Sequence, residues 1–524
     1  MWRRRWTCRA DPGRCRGPAP PPFLLKDITM RRSWVLLLGV LPASAWAQQA
    51  PQAQVTEAST PPPPVAAGPH VEAPLWAVTP HPGDGAGAYA TGHYRNLFTD
   101  LLGLTQAQTD ARLDQLWAQF FHGDGQEQRL YFEVGENANG PLAYITDWAN
   151  NDARTEGMSY GMMIAVQLGH KREFDALWNW SKTYMQITDP ANPSYGYFAW
   201  SMGTDGSPRS TGAAPDGEEY YAMALYFAAN RWGSGHGIYD YKAEADAILH
   251  RMRHHPVETA TPPFRIHPED APFVEPSQPW PSINNRAEAA AAKAAGRAWP
   301  PQWPHRAPRP ESVGPMVDEA HPMVRFVAEA GDSGSDASYH LPAFYELWSR
   351  WGPTEDRAFW AKAADVSRDY FVRVTNPATG LAPDRSYFDA TAMTTYGGEV
   401  YPFGYDSWRT VSNWSVDANW WGKDPRQARL STAIQGFLAA QGIHSFADRY
   451  TLSGQPLSQR HSPGMVAATA VGGLAGSPPD LARSFVKELW ETPIPTGEQR
   501  YFDGMLYMMS LMHLSGRYRV IMPH

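Results

Sequence analysis

The sequence predicts an all-α fold, read as six helical hairpins closing into a ring, with an open solenoid or two bundles as alternatives. Three observations carry this. From about Tyr89 to the C-terminus, apolar residues recur at helical spacing in twelve segments. Alternating runs of strand length are few: Arg129 to Val134 is the best and Met323 to Ala328 the second. No motif repeats every 30 to 50 residues, which disfavours a solenoid, whose stacked repeats carry such a period.

Taken in order, the chain opens with a basic, Pro-rich stretch, 1–29, read as a start-site artefact or extra leader. Residues 30–47 form a signal peptide: a basic start at Met30-Arg-Arg, an apolar run from Trp34 to Leu41, and a small-x-small site at Ala45-Trp-Ala47. The apolar run is too short to span a bilayer, and no other segment reads as transmembrane. An exported protein, periplasmic or secreted, is expected. Cys8 and Cys15 precede the cleavage site, so the mature chain has no thiol for a disulfide, a metal or a nucleophile. Residues 48–88 are a Pro-rich linker, and 89–524 the folded domain.

Within that domain the predicted helices are 105–121, 156–169, 171–187, 217–231, 240–254, 342–351, 355–375, 407–421, 424–442, 463–472, 479–491 and 501–514. Thr155 suits the N-cap of the second, with Met158, Met162, Met163 and Val166 facing inward. Asp216 and Glu219 have capping-box spacing before the fourth. Pro342 fits the first position of its helix. The Pro- and Ala-dense stretch 256–315 reads as a surface insertion holding a short helix, Arg286 to Ala298, with His254-His255 beside it as a solvated pair.

Composition narrows the function. The chain has 524 residues, 43% of them hydrophobic, and net charge −8, enough for a large core and without the basic excess that nucleic acid would demand. Its 22 Trp, 24 Tyr and 20 Phe exceed what core packing alone requires, and aromatic faces stack well on sugar rings. The 17 histidines show no metal-ligand spacing, so no metal is expected.

Three carboxylates, Glu156, Asp216 and Asp336, sit at or just before helix N-termini. In a ring of hairpins, alternate helices start at the same end, so the three can converge on one face. Paired carboxyl groups, one protonated and one ionised, are the tools of glycoside hydrolysis. A helix N-terminus lowers a carboxyl pKa, so a general acid at Glu156 needs desolvation or a like charge such as Asp216 to raise it. The aromatic loop 194–207, with Trp200 as its stacking candidate, and the clusters Tyr339-His340 and Tyr405, Trp408, Arg409 read as the groove around the acids. Gly157-Met-Ser159-Tyr-Gly161 matches a serine-hydrolase nucleophile elbow, but the polar run before it is not the strand that elbow needs.

Several segments together resemble glycoside hydrolase family 8: Thr-Glu156-Gly-Met-Ser-Tyr-Gly-Met-Met, Pro-Asp216-Gly-Glu-Glu, Asp336-Ala-Ser-Tyr-His-Leu-Pro-Ala-Phe-Tyr-Glu, Tyr405-Asp-Ser-Trp-Arg409, His461-Ser-Pro-Gly-Met-Val-Ala and Tyr501-Phe-Asp-Gly-Met-Leu-Tyr-Met. The resemblance runs from about 89 to 520. It implies an (α/α)6 barrel and inverting hydrolysis of β-1,4 bonds, with Glu156 as general acid, Asp336 as general base and Asp216 contacting the distorted sugar. The substrate-binding set expected from the aromatic and polar clusters is Trp200, Tyr339, His340, Tyr405, Trp408 and Arg409. The form after Asp336 resembles the xylan-directed branch, which holds endo-xylanases and reducing-end exo-oligoxylanases. The expected enzyme is thus a monomer without cofactor, acting on xylan or its oligosaccharides. A β-1,4-glucanase or a non-catalytic glycan-binding barrel is the alternative. The insertion is not part of the family pattern.

Overall fold

Helices supply nearly all the regular structure of the chain, described here from a computed structural model at residues 87–210, 212–259, 312–395 and 398–523. The chain divides into a unit Met1–His70 and a unit Val71–His524. The expected leader and signal peptide, and the helix Arg286 to Ala298, lie outside the described residues.

Two short helices, α1 (Ala88–Thr91) and α2 (Leu97–Leu102), precede α3 (Gln106–His122), which a capping box of Thr105 and Gln108 starts. Then come α4 (Thr155–Leu168), α5 (Lys171–Trp180), α6 (Pro215–Trp232) and α7 (Tyr241–His254). The second half holds α8 (Pro342–Trp351), α9 (Arg357–Val374), α10 (Arg409–Trp421), α11 (Arg426–Gln441), α12 (Pro463–Ala470), α13 (Pro479–Glu491) and α14 (Arg500–Leu514). All twelve expected helices are present, two of them, α8 and α13, with the expected ends.

The departures have local causes. Thr155 is the first helical residue and Arg154 the cap position, because the Thr155 N–H is already bonded to the carbonyl of Trp200 at 3.0 Å. Asp216 lies inside α6 behind Ala214, and Glu219 is fully buried, accepting from the Tyr345 hydroxyl at 2.6 Å, so no capping box forms. The expected helix 171–187 ends as an α-helix at Trp180 and closes in a π-turn, Ser181–Met185. His255 is no solvated partner of His254; it is buried and stacked on Tyr197.

Strands are short and paired locally. The expected run at 129–134 becomes β1 (Tyr131–Asn137), antiparallel to β2 (Gly140–Ile145). Next, β3 (Ala153–Arg154) pairs with β4 (Ser201–Met202), which brings the aromatic loop against the start of α4. The insertion's ends meet as β5 (Glu258–Thr259) and β6 (Ser312–Val313). The second expected run gives only β8 (Met323–Val324), paired with β7 (Val317–Asp318). Finally β9 (Gly334–Ser335) pairs with β10 (Ser386–Tyr387).

One large apolar core runs through the helices. Helix α4 packs on α6 and α14; α14 packs on α12, α12 on α10, and α10 on α8. Between α6 and α8, the rings of Tyr220 and Phe344 meet edge-on at 5.1 Å. Close approach is built into these crossings. A Cβ on Gly217 of α6 would lie 2.4 Å from the Thr155 side chain, and one on Gly157 of α4 would lie 2.5 Å from the Tyr501 ring. Glycine is the only residue that lets both neighbours sit there, and both contacts flank Glu156.

Candidate active site

A single guanidinium gathers the acids. Arg409, the first residue of α10, is 3% exposed. Its Nη1 donates to Glu156 Oε2 at 3.2 Å, to Asp216 Oδ2 at 2.9 Å and to the Tyr160 hydroxyl at 2.9 Å. Its Nη2 reaches Ser338 Oγ at 3.0 Å and Asp406 Oδ1 at 3.1 Å. Ser338 is fixed in turn by Asn413, whose side-chain amide donates to its carbonyl at 2.7 Å. The starts of α4, α6 and α10 and the turn before α8 therefore meet at one point, as a common end for alternate helices requires. A charge this buried persists only with such a set of partners.

Glu156 is held on its other oxygen by the Tyr501 hydroxyl, 3.1 Å from Oε1. Its side chain is 15% exposed. Desolvation raises its pKa to about 7, against the pull of Arg409 and with a push from Asp216. The tension between helix start and general acid is resolved by burial. Asp216 is also raised, by desolvation, opposed by Arg409. Ser159 is fully buried and donates to the Glu156 carbonyl at 3.0 Å, so no nucleophile elbow is formed.

Asp336 lies deeper than expected of a base. It is 0% exposed, accepts from the Ser338 N–H at 2.7 Å, and leaves Oδ2 buried without a partner. Desolvation and the nearby Asp384 and Asp406 push its pKa well up. An ionised base needs a cation or solvent, and Asp336 has neither in contact. Asp406 has both: it pairs with Arg409, and its side chain is 34% exposed. Carboxylate oxygens of Asp336, Asp384 and Asp406 lie within 4.8 Å of one another.

The remaining expected residues divide. Trp200 is part-exposed, with the Arg154 guanidinium 5.3 Å from its ring centre, and its carbonyl caps Thr155 beside Glu156. Tyr339 is buried, its ring 5.6 Å from the Arg409 guanidinium and stacked on Phe326. Tyr405 is 52% exposed at a φ of 47°, next to Asp406. Two expectations fail. His340 is wholly buried behind the site, bridging Ser335 Oγ at 2.8 Å and Ser367 Oγ at 2.9 Å, and burial drives its pKa down to about 3. Trp408 is a core residue, 0% exposed, its indole N–H bonded to the Asp448 carbonyl at 2.8 Å. Both sit one residue from a site group, and the backbone turns them to the other side.

Residues that the expectations left out include Tyr160, Ser338, Asp384, Asp406 and Tyr501. Asp406 and Tyr501 lie inside recognisable segments, and Asp406 is three residues before Arg409 at a helix start, a spacing that suits an ion pair. Asp384 sits in an irregular loop, where no local pattern marks it.

A buried arginine binding several carboxyl groups, one of them with its pKa raised to about 7, is an arrangement suited to acid–base chemistry at the helix starts. The family model described as Glycosyl hydrolases family 8 matches residues 137–265. The reducing-end xylose-releasing exo-oligoxylanase Rex8A of Paenibacillus barcinonensis is 39% identical over 83% of this chain and 99% of its own. The reducing end xylose-releasing exo-oligoxylanase of Halalkalibacterium halodurans is 36% identical over 83% and 97%. A GH8 protein from Teredinibacter turnerae, solved with xylobiose, is 42% identical, with a TM-score of 0.72 over 83% of this chain and all of that one. The chain belongs to glycosyl hydrolase family 8 and is a glycoside hydrolase. No described helix is long and apolar enough to cross a membrane.

Proposed function

We propose that the enzyme hydrolyses β-1,4-xylosidic bonds in xylo-oligosaccharides with inversion, using Glu156 as general acid and Asp406 as general base. The observation that carries this is the shared guanidinium of Arg409. It holds Glu156 and Asp216 on one nitrogen and Asp406 on the other. Glu156, protonated up to about pH 7, gives its proton to the glycosidic oxygen as the C1–O bond breaks. A water on the opposite face of the sugar forms the new C1–O bond and passes its proton to Asp406. Asp216, beside the acid, bonds the sugar at the cleavage site. Part-exposed Trp200 and exposed Tyr405 supply apolar faces for neighbouring rings, with Tyr339 and Arg409 as polar contacts between them.

Xylan as the substrate class rests on the relatives, which are reducing-end xylose-releasing exo-oligoxylanases. The (α/α)6 closure is part of the proposal. The succession of packed helices α8, α10, α12, α14, α4 and α6, with Tyr220 against Phe344 at the last joint, supports it. So is export as a monomer after cleavage behind Ala47, which N-terminal sequencing and light scattering of the secreted protein check.

The decisive experiment incubates the protein with xylohexaose and cellohexaose and follows products by chromatography and proton NMR. Cleavage of xylohexaose is expected, with the new reducing end on the glycon product appearing first as the α-anomer. Xylose with xylopentaose as the first product pair marks exo action, and xylobiose with xylotetraose, or xylotriose, as first products marks endo action. Cleavage of cellohexaose only, or a β-anomer, overturns the reading. Asp406→Asn is expected to abolish turnover; if it keeps wild-type turnover, Asp406 is not the base.

A further inference from the structure

Three carboxyl groups meet beside the proposed base, and only one of them touches a cation. Asp336 comes from the turn before α8, Asp384 from the loop after α9, and Asp406 from the start of α10. Their nearest oxygens lie within 4.8 Å of one another. The positive groups facing the cluster are Arg409, already shared with Glu156 and Asp216, and Arg385, whose guanidinium lies over the Phe326 ring at 3.6 Å. The phenols of Tyr339 and Tyr370 close the site and carry no charge there, because burial holds their pKa values up. Three negative charges in this space would repel one another with little solvent to screen them.

Two buried oxygens in the cluster accept no hydrogen bond, Asp336 Oδ2 and Asp384 Oδ1. A buried, unsatisfied carboxylate oxygen costs desolvation with nothing in return. The same oxygen carrying a proton is a donor, and the cluster, whose carboxyl groups approach within 4.8 Å, offers acceptors.

Resting on the reading of Asp406 as base, we propose that Asp336 and Asp384 work as neutral carboxylic acids, positioning residues that donate hydrogen bonds within the cluster and leave its single negative charge on Asp406. The charge belongs there because Asp406 alone of the three pairs with Arg409; Asp384 is part-exposed as well but has no such pair. Burial and the neighbouring acids raise both other groups, Asp384 to about 7, in agreement with this distribution. The arrangement keeps the base ionised in a site crowded with acids. It also aims its carboxylate without a second cation, which would compete for Glu156 and Asp216.

The test is the pH profile of kcat/KM, whose acidic limb reports the base in the free enzyme. Asp384→Ala removes the donor, and its acidic limb is expected to move up by about one pH unit, the size that a lost hydrogen bond to a charged group gives. Asp384→Asn restores a neutral donor, and its limb is expected to return toward that of the wild type. Asp336→Asn, paired with Asp336→Ala, is expected to follow the same pattern. A purely packing role would lower activity at every pH and leave the limb in place, and that result overturns the proposal. A limb that moves down in either Asn variant also overturns it, since that is the response to removing a negative charge. If Asp406→Asn remains active while the Ala variants still shift the limb, the base assignment fails separately from the coupling.

Discussion

Glu156 illustrates how one position can be both a helix start and a chemical tool. Its N-terminal place on α4 favours the carboxylate, yet its surroundings reverse that preference. Gly157 admits the Tyr501 ring, Gly217 admits Thr155, and the enclosed carboxyl loses water, so the protonated form persists to about pH 7. The consequence for activity is an alkaline limb near pH 7. Glu156→Gln should lower turnover of unactivated oligosaccharide by about two to four powers of ten, the usual worth of general acid help. Steady-state assays on xylohexaose check this. The consequence for stability has a definite sign. A carboxyl whose folded pKa lies above its ordinary 4.5 binds its proton more tightly when folded, so its contribution is complete below 4.5 and erodes as pH rises through about 7. Glutamine cannot ionise, and the variant should therefore gain stability over the wild type at pH 8 compared with pH 5. Urea denaturation at the two pH values measures the difference, and an equal gap at both would show that Glu156 is not held protonated by the fold.

Helices and their contacts explain which parts of the site could be read from residues alone. Apolar periodicity is a local signal, so all twelve helices were legible; of Glu156, Asp216 and Asp336, expected to converge at helix starts, the first two share the Arg409 guanidinium, whose role as their common partner no local pattern marks. What lay beyond reach depends on which way a turn rolls. His340 and Trp408 neighbour site residues in sequence, but each points into the core, to Ser367 and Asp448 respectively. The family resemblance implied Asp336 as the base, and its burial at 0% exposure is a matter of tertiary packing that no local pattern shows. The crossing of α4 with α6 offers the matching test. A Cβ at Gly217 would meet Thr155 at 2.4 Å, and α6 carries Asp216 one residue earlier. Gly217→Ala should cost about 1–3 kcal/mol, as overpacking of a tight contact does. It should also weaken activity more than stability alone explains, because moving α6 draws Asp216 off Arg409. Denaturant unfolding together with kcat at a temperature where the variant is fully folded separates the two effects. Unaltered kcat in the folded variant would show that the crossing does not set the geometry of the acids.

At the scale of the whole molecule, one unit, Val71–His524, holds the described residues, and the expected insertion falls between α7 and α8. Pro and Ala density marks the expected insertion at 256–315, and the pairing of β5 with β6 was not legible, because two-residue strands leave no periodic trace. That pairing carries a prediction. Glu258 pairs with Val313 and Thr259 with Ser312 in antiparallel register, and the two hydroxyls meet at 3.2 Å. Thr259 and Ser312 are therefore adjacent, which is the geometry of a hairpin mouth. A two-residue Asn-Gly loop closes such a pair with a type I′ turn whose twist suits the strands. Replacing 260–311 by Asn-Gly should leave the catalytic domain folded, with a melting temperature within about 3 °C of the parent, the change that ~1 kcal/mol gives in a large domain. The loop-closure term favours the shorter chain slightly, since closing a long connection costs more entropy than closing a short one. Calorimetry checks the first point, and kcat/KM over xylo-oligosaccharides of rising length checks a second. If the insertion only bridges β5 and β6, every length is cleaved as before. If it completes the groove, the longest substrates lose most while the melting temperature holds. A variant that fails to fold would show that residues 260–311 support the core beyond closing this hairpin.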